Sequence, residues 1–221
     1  MPSGRPADRR HGELMDRVYR HQRHIYDLTR KYYLLGRDRV LDELALGPGE
    51  RMVEIGCGTA RNLVKIAKRY PEARLFGLDA SQEMLKSAAE TLDRAGLTGR
   101  VSLAHGYAEE LTPAMFGEER PFDVCLFSYS LSMIPEWKQS LEAASRSLSP
   151  AGRIHIVDFG DLRGLGAGRS LLLAWLKLFH VAPRVELLET FEHTQNGNLR
   201  VLPARYAFSL MLTPPCNSRS F

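Results

Sequence analysis

Cysteine is scarce in this sequence: Cys57, Cys125 and Cys216 are far apart, odd in number and in no metal-ligand spacing. That argues against structural zinc and a disulfide framework, and for a reduced, intracellular chain. The seven histidines are scattered, so no metal is expected, and His155, on a strand, reads as a core or supporting group rather than a base. No uninterrupted apolar run approaches the ~20 residues of a membrane span. No signal-peptide apolar region opens the chain. The chain is expected not to cross a membrane, although it could lie against one. Charge is nearly balanced, at +4 overall, but unevenly placed. Between Arg5 and Arg39 nine arginines and one lysine face five acids. On charge alone that basic end suits nucleic acid or an anionic membrane surface equally.

What is present centres on Arg51–Asn62, RMVEIGCGTARN, and Leu75–Ser81, LFGLDAS. A short apolar strand (Met52, Val53, Ile55) runs into a turn with Gly56 and Gly58, then a helix from about Ala60. Glycine in that turn lets a ligand approach the backbone, and the helix start aims unpaired N–H groups at it. A second strand ends on Asp79, 23 residues after Gly56, where a carboxylate can accept both hydroxyls of a ribose. The unit therefore reads as a nucleoside-binding βαβ. A nicotinamide or flavin domain is the competing reading. Two departures weigh against it: Ala60 stands where a third glycine would be, and Glu54 lies inside the strand, where it would repel a pyrophosphate but favour an ammonium.

The run E-x-G-C-G-T-A resembles the first motif of class I S-adenosylmethionine methyltransferases, a likeness covering about residues 50–158. It implies a Rossmann-like α/β fold, with a mainly parallel seven-stranded sheet and helices on both faces. It also implies an S-adenosylmethionine site drawn from Glu54, Gly56, Cys57, Gly58, Asp79, Ala80, Met84, Ala108, Glu109 and Ser128. Within it Glu54 serves the amino acid end, Met84 rests near adenine, and Glu109 (with Glu110 as the alternative) accepts from the adenine amine. The loop Ser128–Pro135 matches the motif facing the transferable methyl. It carries no Asp-Pro-Pro-Tyr or Asn-Pro-Pro-Tyr, which counts against methylation of a planar amide or base nitrogen.

Along the chain, residues 1–12 read as a mobile tail, 13–46 as a helical lid broken at Gly36, and 47–215 as the core of one domain. Further helices are expected over Asn62–Tyr70, Ser81–Ala95 (Ser81 as N-cap) and Trp137–Leu148. Further strands are expected at Val101–Leu103, Phe122–Phe127 and Ile154–Phe159, the last after a turn SPAGR. SLLLAWLKLFH reads as a core helix, or as an apolar wall for a lipid or an interfacial helix. Glu186–Thr190 reads as a helix turn, Gln195–Asn198 as a turn and Ala204–Leu212 as an edge strand.

MDRVYRHQRHIYDLTRKYYLLGRDRVLDEL, together with SYSLSMIPEW and HVAPRVEL, resembles the diacylglyceryl-homoserine N-methyltransferases of betaine lipid synthesis. That likeness implies three methylations of the homoserine amine, at the inner face of a bacterial membrane, by a soluble or peripheral protein. It implies a lipid substrate, association with the enzyme that makes it, and no nucleic acid partner. A quaternary ammonium product has no N–H to donate, so aromatic faces suit it. Tyr19, Tyr26, Tyr33 and Tyr129 are the candidate cage, and Arg30 or Arg205 the candidate partner of the homoserine carboxylate. The alternatives are phosphatidylethanolamine or a small soluble amine as acceptor, an RNA methyltransferase or basic RNA-binding module, and a catalytically dead cofactor-binding subunit.

Overall fold

A computed structural model of the chain describes residues 34–166, 168–178, 183–194 and 197–213. The expected tail, the lid as far as residue 33 and the C-terminal end lie outside those residues. One seven-stranded sheet comprises β1 (Arg51–Ile55), β2 (Arg74–Asp79), β3 (Val101–His105), β4 (Phe122–Ser128), β5 (Leu148–Phe159), β6 (Gly197–Val201) and β7 (Ala207–Leu212). Its order is β3-β2-β1-β4-β5-β7-β6. Strands β1 to β5 run parallel and β7 is antiparallel to both neighbours. The described helices are α1 (Arg37–Glu43), α2 (Arg61–Arg69), α3 (Gln82–Arg94), α4 (Trp137–Arg146), α5 (Gly168–Leu178) and α6 (Val185–Glu192). This is a Rossmann-like fold.

β1 is buried along its whole length between β2 and β4, which a central parallel strand covered on both faces requires. Alternation then splits the sheet into two apolar layers. Met52 shares one with Leu63, Leu126, Tyr129, Val157 and Phe159, and Val53 and Ile55 share the other with Phe76, Phe127, Ile156, Leu188 and Phe208. The two charged residues of β1 need partners at that depth. Arg51 lies over the Phe76 ring at 5.1 Å, donates to the Pro121 carbonyl at 3.1 Å and pairs with Glu118 at 3.1 Å. Glu54 sits at the opposite end, where strand order reverses between β2 and β4. Ligands of open α/β sheets bind outside the carboxyl ends at such a switch point.

Several expected boundaries move. α4 ends at Arg146, and the expected SPAGR turn lies within β5. Leu148 pairs with Phe122 and Arg153 with Val124, so the extra residues are accommodated as a bulge in the register. Ala204–Leu212 is not an edge strand. β7 pairs with β5 through Phe208–Asp158 and with β6 through Phe208–Val201. All its residues but Met211 are buried, a pattern that fits an interior place, and β3 and β6 are the edges. Gly197 and Asn198, expected in a turn, open β6. Ser81 does cap α3, accepting from Met84 N at 3.2 Å. Among the described residues no helix is long and apolar enough to cross a membrane.

Candidate functional site

β1 gives way at Ile55 to a turn through Gly56 and Gly58, at φ 73° and 55°. The Gly56 and Cys57 N–H groups both donate to the Leu78 carbonyl, at 2.8 and 3.0 Å, clamping the turn to the tip of β2. At that tip Asp79 accepts from Gly58 N at 2.7 Å and from Ser81 N at 2.9 Å. Two backbone donors fix the plane of the carboxylate. A β-carbon on Gly56 would lie 2.6 Å from that of Ser130. Ser130 is itself held by donating to the Ile55 carbonyl at 2.6 Å. Ala60, in place of a third glycine, takes the left-handed conformation at φ 61° and caps α2.

Gly56 is a wall between two spaces. One is a cleft of about 880 Å³, partly open to solvent, bounded by Gly56, Gly58, Asp79, Ala80, Met84, Tyr107, Ala108, Glu109, Tyr129 and Met133–Glu136. The other is a smaller chamber of about 380 Å³ bounded by Leu34, Arg37, Glu54, Gly56, Cys57, Thr59, Arg61, Asn62 and Ser128. The cleft is mostly apolar. The chamber is polar and also partly open to solvent, with Glu54 (1% exposed) and Arg37 (7% exposed) buried in its wall. Asn62 donates to Glu54 at 2.6 Å and to Ser128 Oγ at 3.2 Å. Its own carbonyl oxygen has no hydrogen-bond partner among the described residues. A buried acceptor without a donor is costly, and a ligand N–H would satisfy it.

The ten cofactor candidates from the sequence fall on these two sides. Gly56, Gly58, Asp79, Ala80, Met84, Ala108 and Glu109 line the cleft, whereas Glu54, Cys57 and Ser128 line the chamber, which Gly56 shares. Met133–Pro135 lie in the loop that the sequence motif sets against the transferable methyl, whereas sequence reasoning missed Arg37 and Asn62 as site residues. Asn62 was within reach, since it follows Glu54 by eight residues at the second position of the helix. Arg37 was not, because only packing of α1 over the sheet brings it there.

The substrate candidates fare differently. Tyr19, Tyr26, Tyr33 and Arg30 lie outside the described residues. Tyr129 lines the cleft at φ 54° and is 2% exposed. Its hydroxyl donates to the Leu35 carbonyl and its ring packs edge-on against Phe159 at 4.8 Å. Burial, and then the charge of Asp158, push its hydroxyl well above the usual tyrosine range. Tyr129 can therefore offer a ring but not a base. Arg205 is committed elsewhere: it grips Asp161 through Nε and an Nη at 2.8–2.9 Å and Glu192 through its other Nη at 2.8 Å. A guanidinium held by two carboxylates, and not lining the cleft, is no receptor for a substrate carboxylate. Burial raises the Cys57 thiol far up, helped by Asp79 and Glu54, so it is an inert wall. Burial likewise depresses His155 to about 4 and keeps it neutral. No group of three or more potential metal ligands occurs among the described residues.

Residues 52–152 match the family described as Methyltransferase domain. The chain is 28% identical over 167 residues to the ubiquinone/menaquinone biosynthesis C-methyltransferase UbiE of Syntrophotalea carbinolica, covering 72% of this chain and 66% of that one. It is 30% identical to a demethylmenaquinone methyltransferase of Geobacillus kaustophilus, over 54% of this chain and 50% of the relative. It thus spans less than two thirds of the length of these relatives. An O-methyltransferase family protein from Burkholderia thailandensis superposes with a TM-score of 0.64 at 16% identity, over 89% of this chain and 62% of that one. An S-adenosylmethionine-dependent methyltransferase from Aquifex aeolicus does so at 0.59 and 17%, over 83% and 92%. Residues 52–152 are thus similar to a methyltransferase domain, the chain shares its fold with an S-adenosylmethionine-dependent methyltransferase, and S-adenosylmethionine is the cofactor this similarity implies.

Proposed function

We propose that the chain is an S-adenosylmethionine-dependent methyltransferase that methylates the homoserine amine of diacylglyceryl-homoserine three times, working peripherally at a membrane face. The observation that carries the cofactor assignment is the pair of spaces joined at Gly56. Adenosine fits the apolar cleft, with its ribose hydroxyls on Asp79. The zwitterionic methionine end fits the chamber, where Glu54 and the Asn62 carbonyl face the ammonium and Arg37 faces the carboxylate. The opposite charges of Glu54 and Arg37 match that zwitterion, and the bare backbone at Gly56 leaves room for the ligand to cross.

S-adenosylmethionine would supply a sulfonium methyl to the acceptor nitrogen, whose lone pair would form the new N–C bond as the C–S bond breaks and the neutral thioether leaves. The chain's residues align the partners and keep water out, which in such a displacement is most of the catalysis. Met133, Ile134 and Pro135 close the cleft with apolar surface. An ammonium cannot attack, so the amine must arrive or become deprotonated. Tyr129 does not take that proton, and its ring is offered as one face for the growing cation. The amine acceptor rests on the family resemblance of the sequence. A second reading, methylation of a quinol ring carbon, is favoured by the names of the relatives.

The test is incubation of the full chain with methyl-labelled cofactor and four acceptors: diacylglyceryl-homoserine, phosphatidylethanolamine, a demethylmenaquinol and a soluble amine. Label in mono-, di- and trimethylated homoserine lipid is the expected result. Label only in the quinol would establish the second reading, and label only in phosphatidylethanolamine or the soluble amine would move the enzyme to another acceptor.

A further inference from the structure

We propose that the Tyr129 hydroxyl is a positioning group: it holds the backbone ahead of α1 so that Arg37 stands in the chamber to receive the methionine carboxylate of the cofactor. The proposal rests on the cofactor reading above and deepens it. Tyr129 is a rigid donor. Its N–H donates to the Val157 carbonyl at 2.7 Å, and its buried ring packs edge-on against Phe159. From there its hydroxyl reaches the Leu35 carbonyl, 94 residues earlier in the chain. Leu35 is 48% exposed, so burial of its own side chain does little to fix this segment.

The rest of α1 has other anchors. Tyr70 donates to the Leu41 and Asp42 carbonyls at 3.2 and 3.0 Å, and Arg69 pairs with Asp42 at 3.1 Å. These fasten the C-terminal half of the helix to α2 and its end. At the entry the chain turns through Gly36 at φ 80°, where a β-carbon would lie 3.2 Å from a Leu202 methyl. Leu34 and Arg37, on either side of that turn, both line the chamber with Glu54 and Asn62, whereas Tyr129 lines the cleft. The hydroxyl is therefore a strut from the cleft to the wall of the chamber. A guanidinium recognises a carboxylate through a planar, directional fork, so its orientation matters as much as its charge. A shift of the Leu35 backbone would be felt at Arg37, two residues on, while the cleft kept its walls.

The test is calorimetry on the full chain with two ligands that cannot react. S-adenosylhomocysteine carries the amino acid end, and methylthioadenosine lacks it. Tyr129→Phe should bind S-adenosylhomocysteine about five-fold more weakly than the parent, the scale of one lost hydrogen bond, and methylthioadenosine with parental affinity. Arg37→Ala should lose about ten-fold or more, again for S-adenosylhomocysteine alone. Adding Y129F to R37A should cost nothing further, because both changes act through one guanidinium. Gly36→Ala strains the same turn from the Leu202 side and should reproduce the selective loss, which keeps the test decisive if Y129F does not fold. Parental affinity of Y129F for S-adenosylhomocysteine, equal weakening for both ligands, or losses that simply add in the double variant would each overturn the inference while the cofactor reading stands. A parent chain that binds neither ligand would sink both.

Discussion

The carboxyl edge of the sheet is held by two different kinds of chemistry on its two sides. At the tips of β1 and β2 the chain is shaped by glycine and by backbone donors onto Leu78 and Asp79. At the tips of β5 and β7 it is shaped by side chains. Leu162, Ala204 and Arg205 all take positive φ there, at 58°, 55° and 53°, at a cost of order 1 kcal/mol or more each for non-glycine residues. What holds them is Asp161, buried and gripped by Arg205, and the close approach of Gly160, where any side chain would collide with the Arg205 carbonyl. The first side borders the cleft; the second is locked by its own ion pairs. A site that must admit a ligand leaves its polar groups capacity for one, whereas a site that satisfies itself has none to offer.

Four substitutions sharpen or break that contrast. Gly56→Ala should have the largest effect, because it combines positive φ with a contact to Ser130. We expect a loss of about 2–4 kcal/mol in stability and no cofactor binding by calorimetry. A G56A chain that binds normally would mean that the turn is not the wall between the two spaces. On the β5 side, His155 is buried, neutral and depressed to about 4 from 6.5. The unfolded chain therefore takes up a proton below about pH 6.5 that the folded chain refuses until about pH 4. Stability is then fully present above pH 6.5 and falls by up to about 3 kcal/mol across that window. In His155→Leu the slope between pH 6.5 and 4.5 should flatten in denaturant titrations. An unchanged slope would assign it to other groups.

Asp79→Asn should cost about 1–3 kcal/mol of cofactor affinity, roughly 10- to 100-fold, by turning an acceptor toward donors, with a smaller change in melting temperature. A D79N chain with parental affinity would remove Asp79 from the ribose. Arg205→Lys is the mirror case and the smallest. It should cost about 1–2 kcal/mol in stability by loosening the grip on buried Asp161, with cofactor affinity and acceptor KM unchanged. If instead KM rises and the melting temperature holds, Arg205 is a substrate group after all and the locked side is not locked.

The same contrast explains what could be read in advance. The β1 turn, the Asp79 tip and the Ser81 cap were legible because each is encoded within a few residues, by glycine, a strand-ending acid and a short hydroxyl before a helix. On the other side the positive-φ residues are leucine, alanine and arginine, which carry no turn signal of their own. Arg205 looked like an available cation because its partners stand 44 and 13 residues away in the chain. β7 looked like an edge because sequence does not say which strand will pair on its far side.

What the sequence determined by itself is the nucleoside-binding βαβ unit and the class of cofactor, since backbone geometry and strand alternation are local properties. The tertiary structure alone decided that Arg37 reaches the chamber with Glu54 and Asn62, that β7 enters the sheet between β5 and β6, and that Arg205 is bound to Asp161 and Glu192. Each of these depends on which distant groups are near enough to neutralise a buried charge or complete a hydrogen-bond ladder, and that proximity exists only once the chain has folded.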